Sequence, residues 1–189
     1  MPIVFVVPIR SFHLGKSRLA GVLEPAERDS LARRLASHVV TTVQAAGFDT
    51  AVITADQEVA RWAGGHRSAV VSDPNRGLSV AANASVAWAD QNGHDWIILH
   101  ADLPTLDSDD VVALVNGLQA KGSVLAPSSD GGTSAIGADR PLDFSYGPAS
   151  FHRHLAQLGD TSVVARPGLL LDVDSDHDLR AANLVRSAP

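Results

Sequence analysis

Three polar clusters in this sequence each follow directly on an apolar run, and each carries groups able to hold or neutralise charge. The first is Arg10-Ser11-Phe12-His13-Leu14-Gly15-Lys16-Ser17-Arg18. Its Gly15-Lys16-Ser17 matches the end of a P-loop, but that motif needs a glycine five residues before Gly15, where this chain has Arg10, so a P-loop is excluded. What remains is a loop bearing Arg10, Lys16 and Arg18, which is either a clamp for a triphosphate or a solvated basic loop. In the second cluster, His100-Ala101-Asp102-Leu103-Pro104, Asp102 is either a cap for the next turn or a ligand for a hard cation such as Mg²⁺. The third, Leu171-Asp172-Val173-Asp174-Ser175, repeats the pattern, and extended alternation sends Asp172 and Asp174 to the same side. Either can face Asp102, although Asp174 has a second reading as part of a helix cap near Ser175.

A fourth segment, Tyr146-Gly147-Pro148-Ala149-Ser150, reads as a glycine turn entering a helix. The free N–H groups of a helix start, with the Ser150 hydroxyl, suit a phosphate or carboxylate. Upstream, Asp130-Gly131-Gly132-Thr133-Ser134 offers small residues and a hydroxyl that let backbone approach a ligand. A plain turn is the alternative for each. His152 and His154 are two positions apart and cannot share a helix face, and with His100 they are assigned packing or surface roles. Arg153 reaches the cradle or the surface. No Ser-His-Asp order and no zinc-ligand spacing is present.

The elements that must position these groups alternate. Ile3 to Val7 is a β-branched and aromatic run fit for a strand buried on both faces. A helix is expected from Pro25 to Gly47, a strand over 51–54, a short helix over 56–63, a strand over 69–71 and an alanine-rich helix over 78–90. A strand over 96–99, a helix over 108–120 and a strand over 123–126 follow. Residues 127–147, rich in Gly, Asp, Ser and Pro, are expected to make an excursion over the sheet face with short antiparallel pieces. Then come a helix over 148–158, strands over 162–164 and 168–171, and a terminal helix from Ser175, opened by the capping pair Ser175 and Asp178. The expected class is α/β: a three-layer α/β/α sandwich around a mostly parallel, Rossmann-like sheet, in a single domain spanning 1–189. Ligands of such sheets sit at the carboxyl ends of the strands.

Composition narrows the function. Fifteen basic against twenty-one acidic residues leave a net charge of −6, which excludes a broad grip on a nucleic-acid backbone. The absence of cysteine among the 189 residues excludes disulfides, thiolate metal sites and thiol nucleophiles. The apolar run from Ile3 to Val7 is too short to span a membrane and lacks the basic start of a secretory signal, so a soluble, cytoplasmic protein is expected. Oligomeric state stays open.

Residues Pro8 to Leu19 with Lys16-Ser17-Arg18, Ala101-Asp102-Leu103-Pro104, Asp130-Gly131-Gly132-Thr133, Tyr146-Gly147-Pro148-Ala149-Ser150-Phe151 with Arg153-His154-Leu155, and Leu171-Asp172-Val173-Asp174 together resemble the 2-phospho-L-lactate / phosphoenolpyruvate guanylyltransferase family. The order and spacing match over nearly the whole chain. The resemblance implies a glycosyltransferase-A-like nucleotidyltransferase fold and a step of coenzyme F-420 biosynthesis, in which GMP from GTP is joined to a three-carbon phosphorylated acid (phosphoenolpyruvate, 2-phospho-L-lactate or 3-phospho-D-glycerate). It implies Mg²⁺ on Asp102 and Asp172, with Asp174 beside them. Acceptor contacts fall at Thr133, Gly147 and Ser150. Nucleotide contacts fall on Pro8, Arg10, Lys16 and Arg18, with Gly77, Leu78 and Ser79 near the base, and Lys16, Arg18 and Asp102 carry the catalysis. Two positions depart from the family pattern: Ser79 replaces the usual asparagine, and Asp130-Gly131-Gly132-Thr133 replaces Gly-Thr-Gly-Thr. One rival is a molybdopterin cytidylyltransferase-like or sugar-phosphate enzyme of the same fold, against which Val7-Pro8-Ile9-Arg10 stands where a glycine-rich start is typical. The other is a catalytically silent nucleotide-binding module.

Overall fold

The structure, a computed structural model, describes residues 1–140, 142–182 and 184. Strand β1 (Ile3–Pro8) is buried along almost its whole length, as its unbroken apolar run requires. Residues Ile3, Phe5 and Val7 face one helical layer, Val4 and Val6 the other. Helix α1 (Pro25–Ala45) has proline in its first turn and a reciprocal cap between Glu24 and Glu27, and it buries Leu31, Leu35, Val39 and Val43. β2 (Asp49–Thr54), α2 (Gln57–Gly65), β3 (Ala69–Ser72), α3 (Leu78–Gln91), β4 (Asp95–Leu99) and α4 (Ser108–Lys121) continue the alternation. Helix α4 is capped by Asp107 and stopped by Gly122, which is left-handed at φ 69°.

Seven strands form one sheet in the order β3-β2-β1-β4-β6-β5-β7, completed by β5 (Ser123–Pro127), β6 (Thr133–Ala138) and β7 (Ser162–Val163). β1 is parallel to both β2 and β4, so consecutive connections leave it in opposite directions and open a crevice at its carboxyl end. Apolar residues of α1, α2 and α4 pack on one face of the sheet, and those of α3 and α5 (Ser150–Leu158) on the other. This is the expected three-layer sandwich. Among the described residues no helix is long and apolar enough to cross a membrane.

Three local expectations are corrected. The stretch from Pro127 does not merely cross the sheet face: β6 is a six-residue strand, buried throughout and paired antiparallel with both β4 and β5. Only Thr133 and Ile136 of its six residues are β-branched, a weak strand signal, because the space is tight. A Cβ on Gly137 would lie 2.8 Å from the Trp96 carbonyl oxygen. Residues 168–171 do not form a strand: Pro167–Leu170 is a helical turn, α6, with Pro167 at its start and Gly168 pressed against Asp110. Finally, α5 begins at Ser150 rather than Pro148, because Ala149 holds a left-handed conformation at φ 56°. The terminal helix α7 (Asp176–Ala181) has the Ser175/Asp178 capping pair, and its expected continuation past residue 184 lies outside the described residues.

Candidate active site

A cavity of about 510 Å³ opens at the carboxyl ends of β1 and β4, where the strand order reverses. Its first wall is the loop after β1. Pro8, Arg10, Lys16 and Arg18 all line it, and a turn of 3-10 helix at Ser17–Leu19 plants Leu19 in a cluster with Leu31, Leu35, Val173 and Leu179. Lys16 is left-handed at φ 56°, a conformation that costs a residue with a Cβ about 1–2 kcal/mol, and its side chain is mostly buried. Its Nζ donates to Asp102 Oδ2 at 2.6 Å and to Asp174 Oδ1 at 3.2 Å. Arg18, mostly exposed, adds a weaker contact of 3.4 Å to Asp174.

Asp102 is reached directly from β4, and the extended segment after α6 is tied beside it by the Val173 N–H, which donates to the Asp102 carbonyl at 3.2 Å. With Val173 buried, Asp172 and Asp174 on either side of it both face the cavity, as alternation requires, although they follow a helical turn and not a strand. Burial alone would raise the Asp102 carboxyl, but the Lys16 ammonium overcomes it and holds the group below the usual range. Lys16 mirrors this: burial would lower it, and Asp102 with Asp174 raise it. Asp172 has no such partner, and burial followed by the nearby Asp102 pushes its carboxyl up to about 6.

The opposite wall is uncharged apart from Asp130 at its edge. Thr133 opens β6, Ser150 opens α5, and both are buried. Gly147, at φ 113°, lines the cavity between them, in a loop that Arg153 clamps through the Ser145 carbonyl at 2.6 Å. Arg153 is thus engaged with the cradle's own backbone. Asp130 accepts from the Gly132 N–H at 2.8 Å and shapes the turn that precedes Thr133. Of the three residues at the start of α3, Leu78 lines the cavity, Gly77 is the helix cap, and the Ser79 Oγ accepts from the Tyr146 N–H at 3.2 Å.

Two residues given packing or surface roles from sequence belong to this wall. His154 is buried, within 2.9 Å of Thr133 Oγ1. The available signal was its spacing of four from Ser150, one helical turn along the same face. His100 lines the cavity with Tyr146, and the His100 Nε2, the Tyr146 hydroxyl and the Asp102 Oδ1 are all buried without a partner among the described residues. Burial lowers His100 and raises Tyr146, so both are uncharged at neutral pH.

Unsatisfied oxygens and clustered carboxylates suit a hard divalent cation. The described residues hold no ready-made cluster of three ligating side chains, because the Lys16 ammonium lies between Asp102 and Asp174. The orphaned Asp102 Oδ1 and the uncompensated Asp172 nonetheless fit such an ion.

Cations and carboxylates meeting across the switch point of a mostly parallel sheet, opposite a wall of hydroxyls and backbone, define a nucleotidyltransferase. The comparisons agree. Residues 3–180 match the family model described as guanylyl transferase CofC like. The phosphoenolpyruvate guanylyltransferase of Sphaerobacter thermophilus is 35% identical over 189 residues, covering 95% of this chain and 91% of that protein. Among solved structures, a nucleotidyl transferase from Methanothermobacter superposes with a TM-score of 0.64 at 21% identity, over 97% of each chain. Rv0371c of Mycobacterium tuberculosis, crystallised with manganese, gives 0.60 at 17% identity, over 96% of this chain and 98% of that one. The chain belongs to the CofC-like guanylyl transferase family.

Proposed function

We propose that this enzyme joins GMP from GTP to phosphoenolpyruvate, or to the closely related 2-phospho-L-lactate or 3-phospho-D-glycerate, and releases pyrophosphate as a step of coenzyme F-420 biosynthesis. The observation that carries the reading is the two-sided cavity, with Lys16, Arg18 and carboxylates on one wall and Thr133, Gly147 and Ser150 on the other. Two anionic substrates need such a division. The name of the 35% identical relative supports phosphoenolpyruvate as the acid.

An oxygen of the acid's phosphate attacks the α-phosphorus of GTP. One P–O bond forms, the bond to the β-phosphate breaks, and pyrophosphate departs. The nucleophile is already an anion, so the protein's task is to position and neutralise rather than to remove a proton. Lys16 and Arg18 offset charge on the triphosphate and the departing pyrophosphate, Arg10 extends the basic lip, and Pro8 and Leu78 bound the nucleotide's side of the cavity. Thr133, Gly147 and Ser150 hold the acid. A divalent cation, Mg²⁺ on this reading, would be held by Asp102 and Asp172 with Asp174 close by, and would supply Lewis-acid neutralisation of phosphate charge. Manganese in the Mycobacterium tuberculosis neighbour supports an ion of this kind. The reaction belongs in the cytoplasm, where GTP is available.

Pyrophosphate release, measured with GTP, ATP or CTP against the three acids and a sugar phosphate, tests the proposal. Release that requires GTP and one of the acids is expected. Faster release with CTP or with the sugar phosphate would overturn it.

A further inference from the structure

Three buried side chains, Thr133, Ser150 and His154, form a directed chain of hydrogen bonds in the wall opposite Lys16. The Ser145 N–H donates to His154 Nε2 at 3.1 Å. A backbone amide can only donate, so Nε2 is bare and the proton of the neutral ring is on Nδ1. Nδ1 lies 2.9 Å from Thr133 Oγ1 and therefore donates to it. Ser150 Oγ donates to the same oxygen at 3.3 Å. Both lone pairs of the Thr133 hydroxyl are then filled, and its own hydrogen has no acceptor among the described residues. Thr133 lines the cavity.

We propose that His154 is a positioning residue that makes the Thr133 hydroxyl a one-way donor toward an anionic oxygen of the acceptor acid. The inference rests on the acid-accepting reading of this wall and adds a division of labour within it. Thr133 touches the ligand as donor, while Ser150 spends its hydrogen on Thr133 and serves the ligand through the helix start. His154 keeps its direction because burial, followed by the charge of Arg153, lowers it to about 4, so the ring stays neutral through the physiological range. Were Nδ1 bare instead, Thr133 would turn its hydrogen to the histidine and present lone pairs to the acid, which repels an anion.

Substitutions that separate the two ring nitrogens test this. An asparagine at position 154 supplies an N–H where Nδ1 stands, whereas a glutamine reaches the Nε2 position and leaves Thr133 without its donor. Initial rates against phosphoenolpyruvate at saturating GTP, with GTP affinity measured separately by calorimetry, are the readouts. Thr133→Val and His154→Gln should each raise KM for the acid about tenfold to a hundredfold, the range for one hydrogen bond to a charged group. His154→Asn should recover most of that loss, GTP affinity should move by less than about twofold, and Thr133→Val/His154→Gln should be no worse than Thr133→Val alone. Equal impairment of the Asn and Gln variants, or additive losses in the double variant, would reduce His154 to a packing residue and overturn the proposal. A wild-type enzyme that accepts none of the three acids would instead sink the functional reading itself.

Discussion

Asp172 is half-buried beside Asp102, and burial followed by that neighbouring charge lifts its carboxyl from 3.8 to about 6. A carboxyl raised in the folded state binds more protons folded than unfolded across that interval. Stability therefore falls as pH rises from about 4 through about 6 and stays reduced above it. Asp172→Asn should melt at a higher temperature than wild type at pH 7.5 and nearly with it at pH 4, in metal-free melts across that range, while turnover drops by about two orders of magnitude. Asp102→Asn should lose as much turnover without the gain in melting temperature, because Lys16 already compensates Asp102. A Tm for Asp172→Asn that follows wild type at every pH would contradict the electrostatic account. Lys16→Ala should weaken GTP more than the acid, by calorimetric titration of each, since its ammonium serves the carboxylate wall. Asp102, Asp172 and Asp174 were legible in the sequence because each follows a strand or lies on an extended run that fixes its direction, whereas Lys16 and Arg18 were legible only as charge in a loop whose turn at Lys16 sets their direction. His154 was not, because a buried histidine declares its partners only once β6 is brought against α5.

Local pattern reported β1, α1, β4 and α4 well, since apolar periodicity and caps such as Asp107 act within a few residues. It failed at β6, where the sheet and not the side chains holds the strand: small residues are demanded by the Trp96 carbonyl and by Val124 across from Gly137. The same tertiary demand misled at α6, where Gly168 and three leucines read as a strand until Asp110, bonded to Arg166 at 2.5 Å, takes the adjacent space. Gly137→Ala should therefore destabilise the fold by about 1–3 kcal/mol through overpacking, seen as a lower urea midpoint with an unchanged slope. A midpoint like that of wild type would mean that β4 and β6 can separate without cost. Alanine at the exposed Gly64 serves as the control.

Viewed as a whole, the molecule carries a net charge of −6 and sets Arg10, Lys16 and Arg18 among Asp102, Asp130, Asp172 and Asp174 at one opening, so an anionic ligand is received by individual cations placed among carboxylates rather than by a broad positive field. GTP with Mg²⁺ should raise the melting temperature more than CTP or ATP, because a ligand bound only to the folded chain stabilises it by about 2.7 kcal/mol at a hundredfold excess over its Kd. Equal shifts with the three nucleotides would point to relaxed base choice, with Ser79 turned toward Tyr146 as the reason. Overall class and the charged wall of the site were readable from strand ends and the loop after β1, whereas the closure of the wall around Thr133 needed the sheet order.

That sheet order has an evolutionary consequence. Thr133, Tyr146, Gly147, Ser150 and His154 all fall in one uninterrupted stretch, from the start of β6 to the end of α5, while the opposing wall is assembled from the β1 loop, Asp102 and the segment around Val173. On the proposed reading, residues that would greet the acid lie together as a cassette, and those that would handle the triphosphate are scattered and hard to exchange. Drift or recombination within the single segment 133–158 would then retune which small acid is accepted and leave the nucleotide chemistry untouched.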